Sequence, residues 1–329
     1  MTFKFNNTFI DDVATVVGPY EEKGKLKGKF DKVYDDLYIG EKTWEKAEVK
    51  LQEESIEILL HKIKKDKKDI DLLISGDLLN QITASTYAAK KFNIPHIGIY
   101  SACASSVEGI IVGATLVDDN RIKNCIVATS SHNMTSEKQF RNPTEYGAPK
   151  PMSATFTATG GASVAISRNG KIKVESGTIG TITDMGQNDP LNMGAAMAYA
   201  AGDTIHKHLS DLKRNSNYYD LILTGDLGTY GKEILKDYIS SEYGIDISNN
   251  YDDCGTLLYD LDKQTECLAG ASGPACCPLV TYSKIVPNLI KKEIKKVLIV
   301  ATGALFCPTF IFQKENILGI AHAVSLEVE

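Results

Sequence analysis

Several things are scarce in this chain, and each shortage narrows what it can be. The apolar run Val297–Phe312 falls short of the roughly 20 apolar residues a spanning helix needs, and it contains Gly303 and Pro308. Positive charge is not in excess. Lys and Arg number 36 against 42 Asp and Glu, a net charge of -6 that argues against a general nucleic-acid binder, whose phosphate contacts need clustered cations. The opening MTFKFNNTFIDD lacks a cationic stretch followed by an apolar core, so no secretory signal is expected. No Cys-x-x-Cys pairs with another to suggest zinc, and the seven cysteines, an odd count that includes the adjacent Cys276 and Cys277, show no regular spacing. Reduced thiols in a cytosol-like compartment are the expectation, with no metal and no cofactor.

What is present is an ordinary globular composition, 43% hydrophobic and 24% charged over 329 residues, enough for a large core. Two lysine-rich runs, Lys62–Lys68 and Lys291–Lys296, each follow an amphipathic segment and precede an apolar one. They read as solvated helix ends, where cations complement the macrodipole.

The chain also repeats itself. Asp71–Leu78 (DLLISGDL) returns as Asp220–Leu227 (DLILTGDL), and Ile126–Thr129 (IVAT) returns as Ile299–Thr302. Small-residue turns at Ser101–Ser106 and Ala269–Pro274 lie between these anchors, and Gly161–Ile166 has a looser echo in Ala321–Val324. Anchors in the same order twice imply a duplicated unit, with halves of residues 1–168 and 169–329. Ile70–Ser75, Ile97–Tyr100, Cys125–Ala128, Leu221–Thr224 and Val297–Ala301 are short, β-branched and continuously apolar, the pattern of strands covered on both faces. Trp44, Ala47, Leu51, Ile58 and Ile63 fall on one helical face, with Thr43 as N-cap and Glu45 and Glu48 in the first turn. Strands alternating with helices predict mostly parallel sheets, and two such sheets must bury helices between them. The expected fold is a layered α/β sandwich with a pseudo-twofold axis. Residues Ser130–Gly160 form a long insert rich in Pro, Ser and Thr, of the kind usually functional or interfacial.

Cys103 sits between a predicted strand ending at Tyr100 and a predicted helix from Ser105 to Leu116. Such a turn places the thiol at a buried helix start, where unpaired amides stabilise a thiolate or an anion; a small packing cysteine is the equal alternative. A catalytic thiol needs a base. His61 and the pair His206 and His208 read as surface residues, and His96 opens a strand. His132, just after the strand at Ile126–Thr129, and His322, on the final strand, are the two that could serve Cys103.

The Cys103 turn, the duplicated halves and Gly319-Ile-Ala resemble the thiolase-like superfamily, whose layers run αβαβα. Across nearly the whole chain the likeness is closer to the stage V sporulation protein AD family. It is carried by Val16–Pro19, Tyr34–Leu37, Ser75–Gln81, Ala128–Asn133, Glu137–Arg141, Asn192–Met197, Leu223–Asp226 and Ile320–Ala323. Where condensing enzymes place a histidine, a second histidine or asparagine, and a second cysteine, this chain has Thr224–Asp226, Ala271 with Ser272, and Ala301. The resemblance therefore implies binding without catalysis, of dipicolinate (pyridine-2,6-dicarboxylate) or its calcium chelate, during spore formation. The alternative is a cryptic acyltransferase using Cys103 as nucleophile. Cys103, Ala104, Ser105, His132, Lys138, Arg141, Asp226, Ser272 and His322 are the expected ligand-binding residues, with Lys150 a further counter-charge. The same resemblance implies membrane proteins of the sporulation system as partners and a peripheral place at the inner membrane of the spore. It also implies a homodimer formed near Cys125–Ser130.

Overall fold

The computed structural model describes residues 1–140 and 149–329. Ten strands carry the fold: β1 (Phe9–Val17), β2 (Leu72–Gly76), β3 (His96–Gly98), β4 (Asn124–Ser131), β5 (Gly160–Ser167), β6 (Ile172–Ile179), β7 (Leu221–Thr224), β8 (Tyr251–Asp253), β9 (Lys296–Leu305) and β10 (Leu318–Glu327). Their order is β8-β7-β9-β10-β6-β1-β5-β4-β2-β3. The centre of that order is a narrow join, since β6 and β1 pair only through Phe9 with Lys173 and Ile10 with Ile172.

On each side of the join the pairings run in the same way. In the first five strands, β2 is parallel to both β3 and β4, while β5 is antiparallel to β4 and β1. In the second five, β7 is parallel to both β8 and β9, while β10 is antiparallel to β9 and β6. The repeated DL-x-x-x-GDL strings start β2 and β7 in corresponding places, and the repeated IVAT strings lie in β4 and β9. The two sheets are thus one continuous ribbon folded into two layers rather than two separate ones.

Helices supply the other layers. α1 (Trp44–Lys62) and α2 (Thr83–Phe92) cover the outside of the first five strands, and α5 (Met193–Leu212), backed by α6 (Gly228–Tyr243), covers the second. Between the sheets lies α3 (Ser105–Asp118), which packs against β2, β4 and β5 on one side and β9, β10 and β6 on the other. A second inner rod runs from Cys276 to Ile290, with one π-type stretch at Thr281–Ile285. Ile74, Ile111, Val127, Leu279 and Ile299 belong to the largest buried apolar cluster, which fills this central layer.

Local expectations were met unevenly. Thr43 does cap α1, accepting from the Lys46 amide at 3.3 Å. Glu48, expected in the first turn of α1, is buried there, because α4 (Asn133–Phe140), inside the predicted insert, lays the Thr135 hydroxyl 2.6 Å from its carboxylate. Burial, with the charge of Asp77 nearby, holds the Glu48 carboxyl well above the usual range. The segment Ile97–Tyr100 is not covered on both faces. β3 is the outermost strand, and Ile97 and Tyr100 are 40% and 46% exposed. β4, by contrast, is paired along both edges, so the stretch Cys125–Ser130 has no free edge to offer a second copy.

Candidate functional site

The C-terminal ends of the parallel strands in both halves converge on one cleft, and the turn that carries Cys103 forms its floor. The turn is tight: the Ala104 amide donates to Ser101 O at 3.0 Å and the Ser105 amide to Ala102 O at 3.3 Å. Ala102 takes a left-handed φ of 49°, a conformation that costs a side-chain-bearing residue on the order of 1 kcal/mol. Ser105 offsets this, because its hydroxyl donates to Ala102 O at 2.8 Å and accepts from the Ser101 amide at 3.0 Å. From the other half, β9 approaches so closely that a Cβ on Gly303 would stand 2.3 Å from Ser101 O. Glycine is therefore required there for the two halves to meet at the turn.

This geometry changes the role expected of the helix start. The amides of Ala104, Ser105 and Val107 are all spent on carbonyls of the turn, so they do not form an open anion nest. Ala104 and Ser105 are completely buried beneath the cleft, and only Cys103 of the three reaches its surface.

The cavity within the cleft is small, about 40 Å³. Tyr100, Phe140 and Phe306 give it aromatic walls, and Leu78 and Met193 add aliphatic ones. Its polar lining comprises Ser136, Glu137, Thr157 and Ser272 beside Cys103. Ser136 is 6% exposed, and its hydroxyl has no hydrogen-bond partner among the described residues. The Ser272 hydroxyl lies 2.9 Å from that of Thr155, and its strand (Ala271–Ser272) pairs with Phe156–Thr157.

Asp226 stands behind the thiol. Its carboxylate accepts from the Gly273 amide at 3.1 Å and from the Thr302 hydroxyl at 2.7 Å, and its charge acts on the nearby Cys103 thiol. Burial raises its pKa to about 7, against the opposing pull of those hydrogen bonds. Burial likewise pushes the Cys103 thiol well above its ordinary value, and the neighbouring Asp226 charge pushes it further in the same direction. An imidazole would do the opposite.

Among the described residues neither of the two candidate bases is hydrogen-bonded to Cys103. His322 accepts from the Gly180 amide through Nδ1 at 3.3 Å, so its Nε2 carries the proton, and that atom faces the Ser101 hydroxyl at 3.3 Å. His132 is fully buried, with Nε2 2.7 Å from Leu37 O and Nδ1 accepting from the Met134 amide. Burial depresses both to about 4, so both are neutral near pH 7. His208, read from the sequence as a surface residue, is buried too and bonds Thr178 and Tyr219.

The expected cations are dispersed. Lys138 is exposed and paired with Glu45 at 2.5 Å, away from the lining. Lys150 approaches the cleft only through Glu137, to which it is bonded at 2.8 Å. Arg141 lies outside the described residues. The structure thus gathers Cys103, Asp226 and Ser272 at the cleft, leaves His322 beside the turn, and sends His132 and Lys138 elsewhere. The sequence reading missed the aromatic walls and Ser136. Glu137 and Phe140 did lie in the Glu137–Arg141 string, and Phe306 just beyond the strand-ending Gly303–Leu305, but nothing in their spacing brings three such distant segments together.

Residues 1–327 match the family model described as stage V sporulation protein AD. The chain is 47% identical over 320 residues to stage V sporulation protein AD of Bacillus subtilis (strain 168), covering 97% of this chain and 94% of that protein. Among solved structures, cerulenin-bound OleA of Xanthomonas campestris superposes with a TM-score of 0.65 at 12% identity, over 99% of this chain and 98% of that one. A variant of the same protein gives 0.64 at 13% identity, over 99% of each chain. At such identities the likeness is one of fold, the thiolase-like one.

Proposed function

Because the chain belongs to the stage V sporulation protein AD family, we propose that its cleft binds dipicolinate, or the calcium chelate of dipicolinate, and passes it on unchanged during spore formation. The observation that carries the reading is the carboxyl of Asp226 against the Cys103 thiol. A thiol is activated as a nucleophile by a neighbour that lowers its pKa, and a buried carboxylate raises it instead.

The walls fit a flat aromatic ring, and the unpartnered Ser136 hydroxyl supplies a donor for a ring acid. Charge sets a further condition. Among the described residues no Lys or Arg lines the cleft, and Glu137 does. A dianion therefore enters either by drawing Lys150 away from Glu137 or by bringing its own calcium ion. The same reading makes the chain a peripheral partner of membrane proteins in the sporulation system; no described helix is long and apolar enough to cross a membrane.

Calorimetric titration of dipicolinate, with and without calcium, tests the proposal. Heat of binding that Cys103→Ala alters while the fold is retained is the expected result, since a small residue replaces a small one on the cleft floor. Absence of heat up to millimolar ligand refutes it, and an unchanged affinity in the variant moves the ligand to another site.

A further inference from the structure

We propose that the face opposite the cleft is a docking surface for a lipid bilayer carrying acidic head groups. The cleft lies at the C-terminal ends of the parallel strands, so the N-terminal ends of β2, β4, β7 and β9 all point to the other side of the molecule. There Lys64, Lys65, Lys67 and Lys68 precede β2, and Lys123 precedes β4. In the second half Lys291, Lys292 and Lys295 precede β9. Lys65 is half-buried and the others are exposed.

Two features separate these residues from ordinary solvated lysines. First, among the described residues none of them enters an ion pair, although fourteen ion pairs are formed by other residues. Secondly, the acids at corresponding places in the two halves are engaged by backbone amides. Asp71 accepts from the amides of Lys123 and Asn124 at 2.7 and 3.2 Å, and Asp220 from those of Lys295 and Lys296 at 2.7 and 2.9 Å. Each carboxylate thus fastens a loop to its neighbour instead of pairing with a lysine ammonium group.

The charge is uneven on the scale of the molecule. Residues 64–69 hold four lysines and two aspartates, and 291–295 hold three lysines and one glutamate, an excess of two positive charges in each, whereas the whole chain carries -6. Beside the second cluster Ile290 is 48% exposed, an apolar contact next to the cations. Lysine rather than arginine dominates the face. Flexible point charges suit attraction to a field of phosphate head groups, whereas nucleic-acid recognition favours the arginine fork. Docked in this way, the protein presents its cleft away from the bilayer.

Sedimentation of the full chain with vesicles tests the assignment. Vesicles containing phosphatidylglycerol should retain the protein in a salt-sensitive way, and pure phosphatidylcholine vesicles should not. The combined substitutions K64E, K67E, K291E and K292E should weaken that retention at least roughly tenfold. A control of equal charge change at Lys27, Lys29, Lys42 and Lys46, which lie elsewhere, should bind as the native chain does. Equal retention on both vesicle types, an equal loss in the control, or binding to duplex DNA without binding to vesicles would each overturn the proposal.

Discussion

Replacing Asp226 by Asn should wake the Cys103 thiol. Two unit charges about 4 Å apart at an effective dielectric of about 20 repel by about 4 kcal/mol, roughly a thousandfold in the thiolate population. That is the upper bound on what Asp226 suppresses when ionised. Because its pKa is about 7, the suppression operates above pH 7 and fades below it, where the native carboxyl is itself protonated. The assay is alkylation by iodoacetamide in a Cys307→Ser background. Of the seven cysteines, Cys307 is exposed and Cys103 partly so, while the other five are buried, so the rate reports Cys103. Asp226→Asn should label faster by at least one order of magnitude above pH 7, with the gap closing toward pH 5. Equal rates at pH 8 would show that the carboxyl does not govern the thiol, and the case for a disabled nucleophile would fail.

Three other outcomes are expected. The Asp226 pKa is higher folded than unfolded, so the stability it contributes is full below about pH 4 and is lost as pH rises toward about 7; urea unfolding at pH 5 and 8 should show a smaller loss in Asp226→Asn than in the native chain. Gly303→Ala, whose new methyl would meet Ser101 O at 2.3 Å, should cost about 1–3 kcal/mol in denaturant unfolding and displace the Cys103 turn; native stability with native ligand affinity would contradict the close approach. Light scattering at micromolar concentration should give a homodimer formed through the open edge of β3, and Ile97→Lys should yield monomers; a native chain that is already monomeric removes the expectation.

How much was readable before the structure differs by element. β7 was legible to the residue, because Leu221–Thr224 is continuously apolar and framed by Asp220 and Gly225. The Thr43 cap was legible because its chemistry is local. Glu48 was not, since its burial depends on Thr135, 87 residues away. The Cys103 turn could be placed from the strand and helix on either side of it. Its amides could not be assigned, since whether they face a ligand or the turn's own carbonyls depends on the left-handed Ala102. Asp226 could be seen as standing where a base is expected. That its charge acts on the thiol required the fold to bring residues 103 and 226 near each other across the pseudo-twofold.

The proposed function requires a Cys103 thiol that lines the cleft without attacking what enters it. Intact-mass spectrometry after incubation with an acyl-coenzyme A asks this directly. Unmodified protein, with the thioester undiminished, is the predicted result. An acyl group on Cys103 together with continuing consumption of the thioester would place the chain among the condensing enzymes whose fold it shares.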